Sequence, residues 1–294
     1  MLKSNSTIGI LSFSLAMLIS GSIGVFVQKL SLTAIDIVFF RSLIGTVFLG
    51  FYILLFNRKN FTNVLNSLKY IIICGIFLVL NWIFLFASFK HTSITIAVSI
   101  YYLAPVFVML YGIIWLKEDN VALKIFTIIL AFIGAAFASG IDINSFKMAT
   151  KDAYGALFAL IAALLYASLI ITAKKIKDVD SMHISFIQTL MGAIILIFFI
   201  DINFTSIASL NFKILITLGV VHTAIMYILF FKGVKYAPIA SVALLGFIDP
   251  LVAVMADTFI LNNTISKTQW LGVGLIMFAI AIKSYMDIKN ANQD

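Results

Sequence analysis

Apolar residues run along this chain in blocks of about twenty, separated by short polar connectors, beginning at Ile8. A helix crossing the hydrocarbon core of a bilayer needs about 20 mostly apolar residues. On that rule ten spans are expected, at 7–28, 34–56, 69–89, 93–116, 121–139, 153–173, 182–200, 211–232, 237–261 and 267–285. The blocks are continuous rather than alternating, which excludes a membrane β-barrel. Connectors such as Asn57-Arg58-Lys59-Asn60 and Lys117-Glu118-Asp119-Asn120 are short, and the longest, Gly140 to Asp152, divides the chain. The expected fold class is all-α and polytopic.

The two halves resemble each other. The segment from Lys90 to Pro105, KHTSITIAVSIYYLAP, aligns without gaps onto Lys235 to Pro250, KYAPIASVALLGFIDP, an offset of 145. Lys69 with Gly75 falls onto Lys213 with Gly219, and Arg41 with Gly45 onto Gln188 with Gly192. Two units are expected, 1–140 and 153–288, each of five spans. An odd number of spans makes the second unit enter the membrane from the opposite face. Such inverted repeats build carriers with two symmetry-related gates around a central site.

Composition agrees with a lipid solvent: 63% of residues are apolar and 11% charged, against about 25% charged in soluble domains. The net charge of +8 could suggest nucleic acid, but the positive residues lie between apolar runs and form no stripe. They set topology instead. Connectors after odd-numbered spans hold six Lys (Lys29, Lys90, Lys147, Lys151, Lys213, Lys267), and the opposite side holds thirteen Lys or Arg. The positive-inside rule then places both termini in the cytoplasm. The run from Ile8 to Val27 after Lys3 has no A-x-A-like cleavage site, so it is expected to be the first membrane helix. With no targeting signal, and with the Ile, Lys and Asn usage of an AT-rich genome, the expected location is a bacterial inner (plasma) membrane. Cys74 is the single cysteine, which excludes an internal disulfide and a thiolate metal cluster. No cofactor or metal is expected, and a homodimer is left open.

Charged side chains at membrane depth cost roughly 2.5–3.5 kcal/mol on translocon scales and so become functional candidates. Asp249 lies about twelve residues into the ninth span, beside Pro250, whose missing N–H frees a carbonyl. A carboxylate beside a kink suits a cation or a proton; the structural alternative is a protonated Asp bonded to a neighbouring helix. Pro105 is the matching kink in the first half. His222, mid-way along the eighth span, could relay protons or donate to a substrate carboxylate, or simply bond another helix. Arg41 is read as a cavity or gate residue that competes with snorkelling to the interface. Asp257 is its potential partner. Ser20, Ser22, Asn81, Trp82, Tyr101, Tyr102 and Tyr227 share that mid-depth; the rings could stack on a substrate or hold an ammonium. Gly134, Ala138, Gly272 and Gly274 are read as close-packing positions.

Ten spans in a tandem five-helix repeat resemble the drug/metabolite transporter superfamily, and in particular its EamA-type members. The carrying residues are Arg41 in FFRSLIG, the run Tyr101-Tyr102-Leu103-Ala104-Pro105, Glu118, Pro250, Gly272 and Gly274. The resemblance implies ten helices around a central cavity, alternating access, and no ATP or metal. Two features depart from it: Leu261-Asn262-Asn263 stands where the family closes the ninth span with Gly-Glu, and Asp249 is not a usual family mark. The leading functional reading is a secondary transporter exporting amino acids or related metabolites, with lipid as solvent and protons as a candidate coupling ion. A channel or facilitator is the alternative. A membrane aspartyl protease fits poorly, since Asp249 and Asp257 are eight residues apart on one helix, about 12 Å along its axis. H-E-x-x-H and phosphate-cradling Gly-rich loops are both missing from the sequence, which removes a zinc protease and an ATP-driven pump.

Overall fold

The computed structural model describes residues 2–56, 61–117, 120–140, 150–200, 211–262 and 264–291, and every regular element among them is helical. Glu118, Asn263 and the connectors at 57–60 and 141–149 lie outside the described residues. Among the described residues, eight helices are long and apolar enough to cross a membrane: Asn5–Val27, Ala34–Phe56, Asn63–His91, Ile94–Trp115, Val121–Ala138, Ala153–Ala173, Phe212–Tyr236 and Ile239–Phe259. The chain is an integral membrane protein. The span expected at 182–200 is represented by Ser181–Leu196, of 16 residues. At 1.5 Å per residue this covers about 24 Å, less than the ~30 Å of a bilayer core. The segment expected at 267–285 is the helix Lys267–Ala291.

Several of these rods are broken, and the described residues form α1 Leu2–Gly21, α2 Ile23–Val27, α3 Ala34–Phe56, α4 Phe61–His91, α5 Ile94–Tyr101, α6 Leu103–Trp115, α7 Val121–Ala138, α8 Thr150–Ala173, α9 Ser181–Leu196, α10 Phe212–Gly219, α11 Met226–Tyr236, α12 Ile239–Leu245, α13 Ile248–Phe259 and α14 Lys267–Ala291. A π-helical turn, Val220–Ile225, joins α10 to α11. Two of the breaks have the same cause. A proline ring removes a donor and clashes with the carbonyl four residues back. For Pro105 that carbonyl belongs to Tyr101, the last residue of α5; for Pro250 it belongs to Gly246, which closes α12. Each proline sits third in the helix that follows, where an N–H would have no intrahelical partner. Asp249 is therefore the second residue of a new helix, not the middle of a kinked one.

The rods pair across the sequence midpoint: α1 runs along α11, α3 along α9, α4 along α8, and α7 along α14. Small residues permit the contacts, as expected where lipid-buried helices gain most from close backbone approach. A Cβ on Gly233 would lie 2.5 Å from Phe13 Cβ, and one on Gly272 would lie 2.5 Å from both Ala138 N and Gly134 O. Gly274 differs from the expectation: its Cβ position faces open space. Only one of the two α14 glycines is turned toward α7.

Candidate functional site

Between these paired rods lies a cavity of about 160 Å³, lined from α1, α3, α4, α6, α8, α11 and α13 and by Tyr101 and Tyr102 at the first break. Arg41 and Asp249 are the two charged residues in its lining. Arg41 is buried on α3, and its guanidinium carbon lies 5.5 Å from the Trp82 ring centroid. That distance suits cation–π attraction, which is strongest for Trp. Its Nε has no hydrogen-bond partner among the described residues. The lipid-interface alternative for Arg41 is thereby replaced: the stem turns inward. Tyr227, 6.4 Å from the Trp82 centroid, lines the same wall.

Asp249 reaches the cavity from the start of α13, and Ser20 of α1 lines the same wall. Its placement depends on Gly21, because a Cβ there would stand 2.5 Å from the Asp249 carbonyl oxygen. Asn81 lines the cavity and is also bonded to protein: its Nδ2 donates to the Ala162 carbonyl at 2.7 Å and lies 3.2 Å from the Tyr101 hydroxyl. It ties α4 to α8 and fixes the Tyr101 ring, which packs 5.8 Å from Tyr166. Tyr166 is a lining residue that the sequence reading missed. Its only signal was an aromatic half-way along the sixth span.

A larger chamber of about 620 Å³ adjoins the first and shares Ser20, Leu85, Tyr101, Tyr102 and Asp249 with it. Its walls extend to Gln28, Ile94, Ser139, Asp257, Leu261 and Gln269, all at one end of the bundle. It is a vestibule, and Asp249 stands where the two chambers meet. Asp257 lines the vestibule and Arg41 the inner cavity, so the expected pair is divided between chambers. Pro250 lines the vestibule and Pro105 the inner cavity.

His222 and Ser22 line neither chamber. They face each other behind the wall, with Ser22 Oγ 3.1 Å from His222 Nε2. The Ser22 hydroxyl also donates to the Ile19 carbonyl at 2.8 Å, and on the other side of the ring His222 Nδ1 faces the Thr217 carbonyl at 3.5 Å. Phe26 packs on the imidazole at 4.7 Å. The ring sits in the π-helical turn, which rotates it off the cavity face of α11. His222 thus joins the α1–α2 break to its neighbour.

The opposite end of the bundle is closed by side chains donating to carbonyls. Lys174 Nζ bonds the Ala237 carbonyl. Lys235 Nζ donates to the Val179 carbonyl at 3.1 Å, Asn63 Nδ2 to Asp178 O at 3.0 Å, and Ser67 Oγ to Lys177 O at 3.3 Å. Lys283 Nζ lies 3.3 Å from Ser241 Oγ.

The sequence profile of the EamA-like transporter family matches residues 7–140 and again 153–285. This chain belongs to the EamA-like transporter family. The uncharacterized transporter YxxF of Bacillus subtilis (strain 168) is 35% identical over 286 residues, covering 95% of this chain and 90% of that protein. An uncharacterized transporter of Archaeoglobus fulgidus is 25% identical over 273 residues, covering 91% and 93% of the two chains. A solved crystal structure superposes with a TM-score of 0.78 over 97% of this chain and 99% of the other, at 15% identity, a likeness of fold. The EamA-like chain is accordingly a transmembrane transporter, and the cavity is its candidate substrate site.

Proposed function

We propose that this EamA-like protein is a secondary transporter that exports amino acids or related zwitterionic metabolites by alternating access. It does so with ten spans arranged as two inverted five-helix units, 1–140 and 153–288. The observation that carries the reading is the pairing of one guanidinium and one carboxylate on a single small, aromatic-walled cavity. Each charge is costly at membrane depth, and a ligand bearing both signs would compensate the two together. Its carboxylate would meet Arg41, and its ammonium would meet Asp249 with the faces of Tyr101 and Tyr102 nearby. The Trp82 indole and the Tyr166 and Tyr227 rings would cover its apolar part.

The element pattern supports the inverted repeat. α5 begins at Ile94 and α12 at Ile239, α6 at Leu103 and α13 at Ile248, and the prolines follow at 105 and 250; all three differences are 145. The packing of α1 on α11 has its counterpart in α8 on α4, as exchange of the two units requires. The vestibule opens at the end of the bundle that carries Lys29, Lys90, Lys213 and Lys267. With both termini cytoplasmic, as the charge bias favours, this is the outward-facing state. Asp249, reachable from the vestibule, is the group on which protons would be exchanged against substrate.

Reconstitution tests the reading. Purified protein in liposomes should move labelled neutral amino acids saturably, and faster under an imposed pH gradient. Asp249→Asn and Arg41→Gln should each abolish the saturable component while the protein stays monodisperse. Movement that rises linearly with concentration would indicate a facilitator, and indifference to both substitutions would remove the site.

A further inference from the structure

We infer that Lys90 and Lys29 are the residues that close the outer end of this transporter, in a state that mirrors the sealed inner end seen here. The inference rests on the inverted-repeat reading and extends it to particular side chains. At the sealed end, Lys235 in the last turn of α11 donates to the carbonyl of Val179, two residues before α9 begins at Ser181. Lys174 follows the last residue of α8 and bonds the carbonyl of Ala237, the residue before the cap of α12. Two cations thus staple two loops, one leading into α9 and one leading into α12.

The first half carries the same parts at the other end. Lys90, in the last turn of α4, aligns with Lys235 in the gapless match that runs on to the two prolines. The counterpart of Val179 is Leu32, two residues before α3 begins at Ala34. Lys29, 145 residues before Lys174, lies just past the Gln28 cap of α2, and the counterpart of Ala237 is Thr92, before the Ser93 cap of α5. In the present state Lys29 and Lys90 are both exposed. The burial of the matched segments differs in the same sense: six of the seven residues of α12 are buried, against only Ala97 and Ser99 of the eight in α5. One unit therefore holds its staples closed while the other has them undone. Exchange of the two conformations, the general route by which repeat-built carriers alternate, brings Lys90 Nζ to the Leu32 carbonyl and Lys29 Nζ to the Thr92 carbonyl. The same rocking releases Lys235 and Lys174.

The test needs neither a substrate nor a membrane orientation. Cys74→Ser removes the native thiol, and Ala253→Cys places a reporter in the vestibule wall, where Ala253 is exposed. The rate of modification of the purified protein by a bulky maleimide then reads how often the outer end is open. Lys235→Ala should slow labelling, because the inner staple no longer favours the outward state; loss of one charge-assisted hydrogen bond shifts such an equilibrium by roughly tenfold or more. Adding Lys90→Ala should restore the fast rate, and Lys90→Arg should not, since the guanidinium can still donate. A double variant that labels as slowly as Lys235→Ala alone would overturn the role of Lys90 and leave alternating access standing. If Lys235→Ala itself labels at the parental rate, the carrier reading fails along with it. Size-exclusion profiles separate both outcomes from misfolding.

Discussion

At the scale of single residues, the site is a set of polar groups whose partners differ from what depth alone suggests. Arg41 has the Trp82 face as its neighbour, so the indole holds the guanidinium in the cavity rather than contacting substrate alone. Trp82→Phe should preserve part of the transport rate and Trp82→Ala should lose it, following the order of ring strength in cation–π contacts; initial rates in liposomes measure this. His222 bonds Ser22 behind the wall. His222→Gln should therefore leave KM unchanged and lower the unfolding temperature in detergent, whereas a changed KM would return the imidazole to the site. Asn81→Leu removes the donor to the Ala162 carbonyl. Interhelical hydrogen bonds in membranes contribute about 0.6–2 kcal/mol, and a loss of that order should appear in denaturant titration. KM should rise as well, because Tyr101 is released.

At the scale of elements, glycine positions and proline breaks decide how the rods meet. Gly272→Ala forces a methyl group onto the backbone of α7, at 2.5 Å from Ala138 N and Gly134 O. Overpacking of this kind costs about 1–3 kcal/mol. Gly274→Ala, with no atom within 4 Å of the added Cβ, should be neutral or slightly stabilising, since alanine is the better helix former. Comparing the two melting temperatures tests the assignment of the α7–α14 face. Pro250→Ala restores the missing donor and removes the clash at Gly246, so α12 and α13 can join into one rod. That would carry Asp249 away from the cavity rim, and transport should fall while the protein remains folded.

At the scale of the whole molecule, both ends of the chain are expected on the cytoplasmic side, with the vestibule facing out. Reporter fusions active only in the cytoplasm should fluoresce at either terminus, and an impermeant maleimide should reach Ala253→Cys from outside intact cells. The connector lysines then have two roles. Their number on each side biases insertion, and at the sealed end Lys174 and Lys235 also bond loop carbonyls across the bundle.

The sequence alone was sufficient for the membrane class, the family and the match between halves, because each follows from local quantities: the length of apolar runs, the residues flanking them, and a fixed offset. It also marked Arg41, Trp82, Tyr101, Tyr102, Tyr227 and Asp249, which the structure brings to one cavity, since charges and aromatic residues at mid-depth are conspicuous in lipid. It placed His222 and Ser22 there too. Depth is a coordinate along the helix axis, and only packing fixes the rotation about that axis. The π-helical turn at Val220–Ile225, the exact break points of α5 and α12, and the partner each lysine bonds depend on contacts between residues far apart in the chain. Those the tertiary structure alone decided.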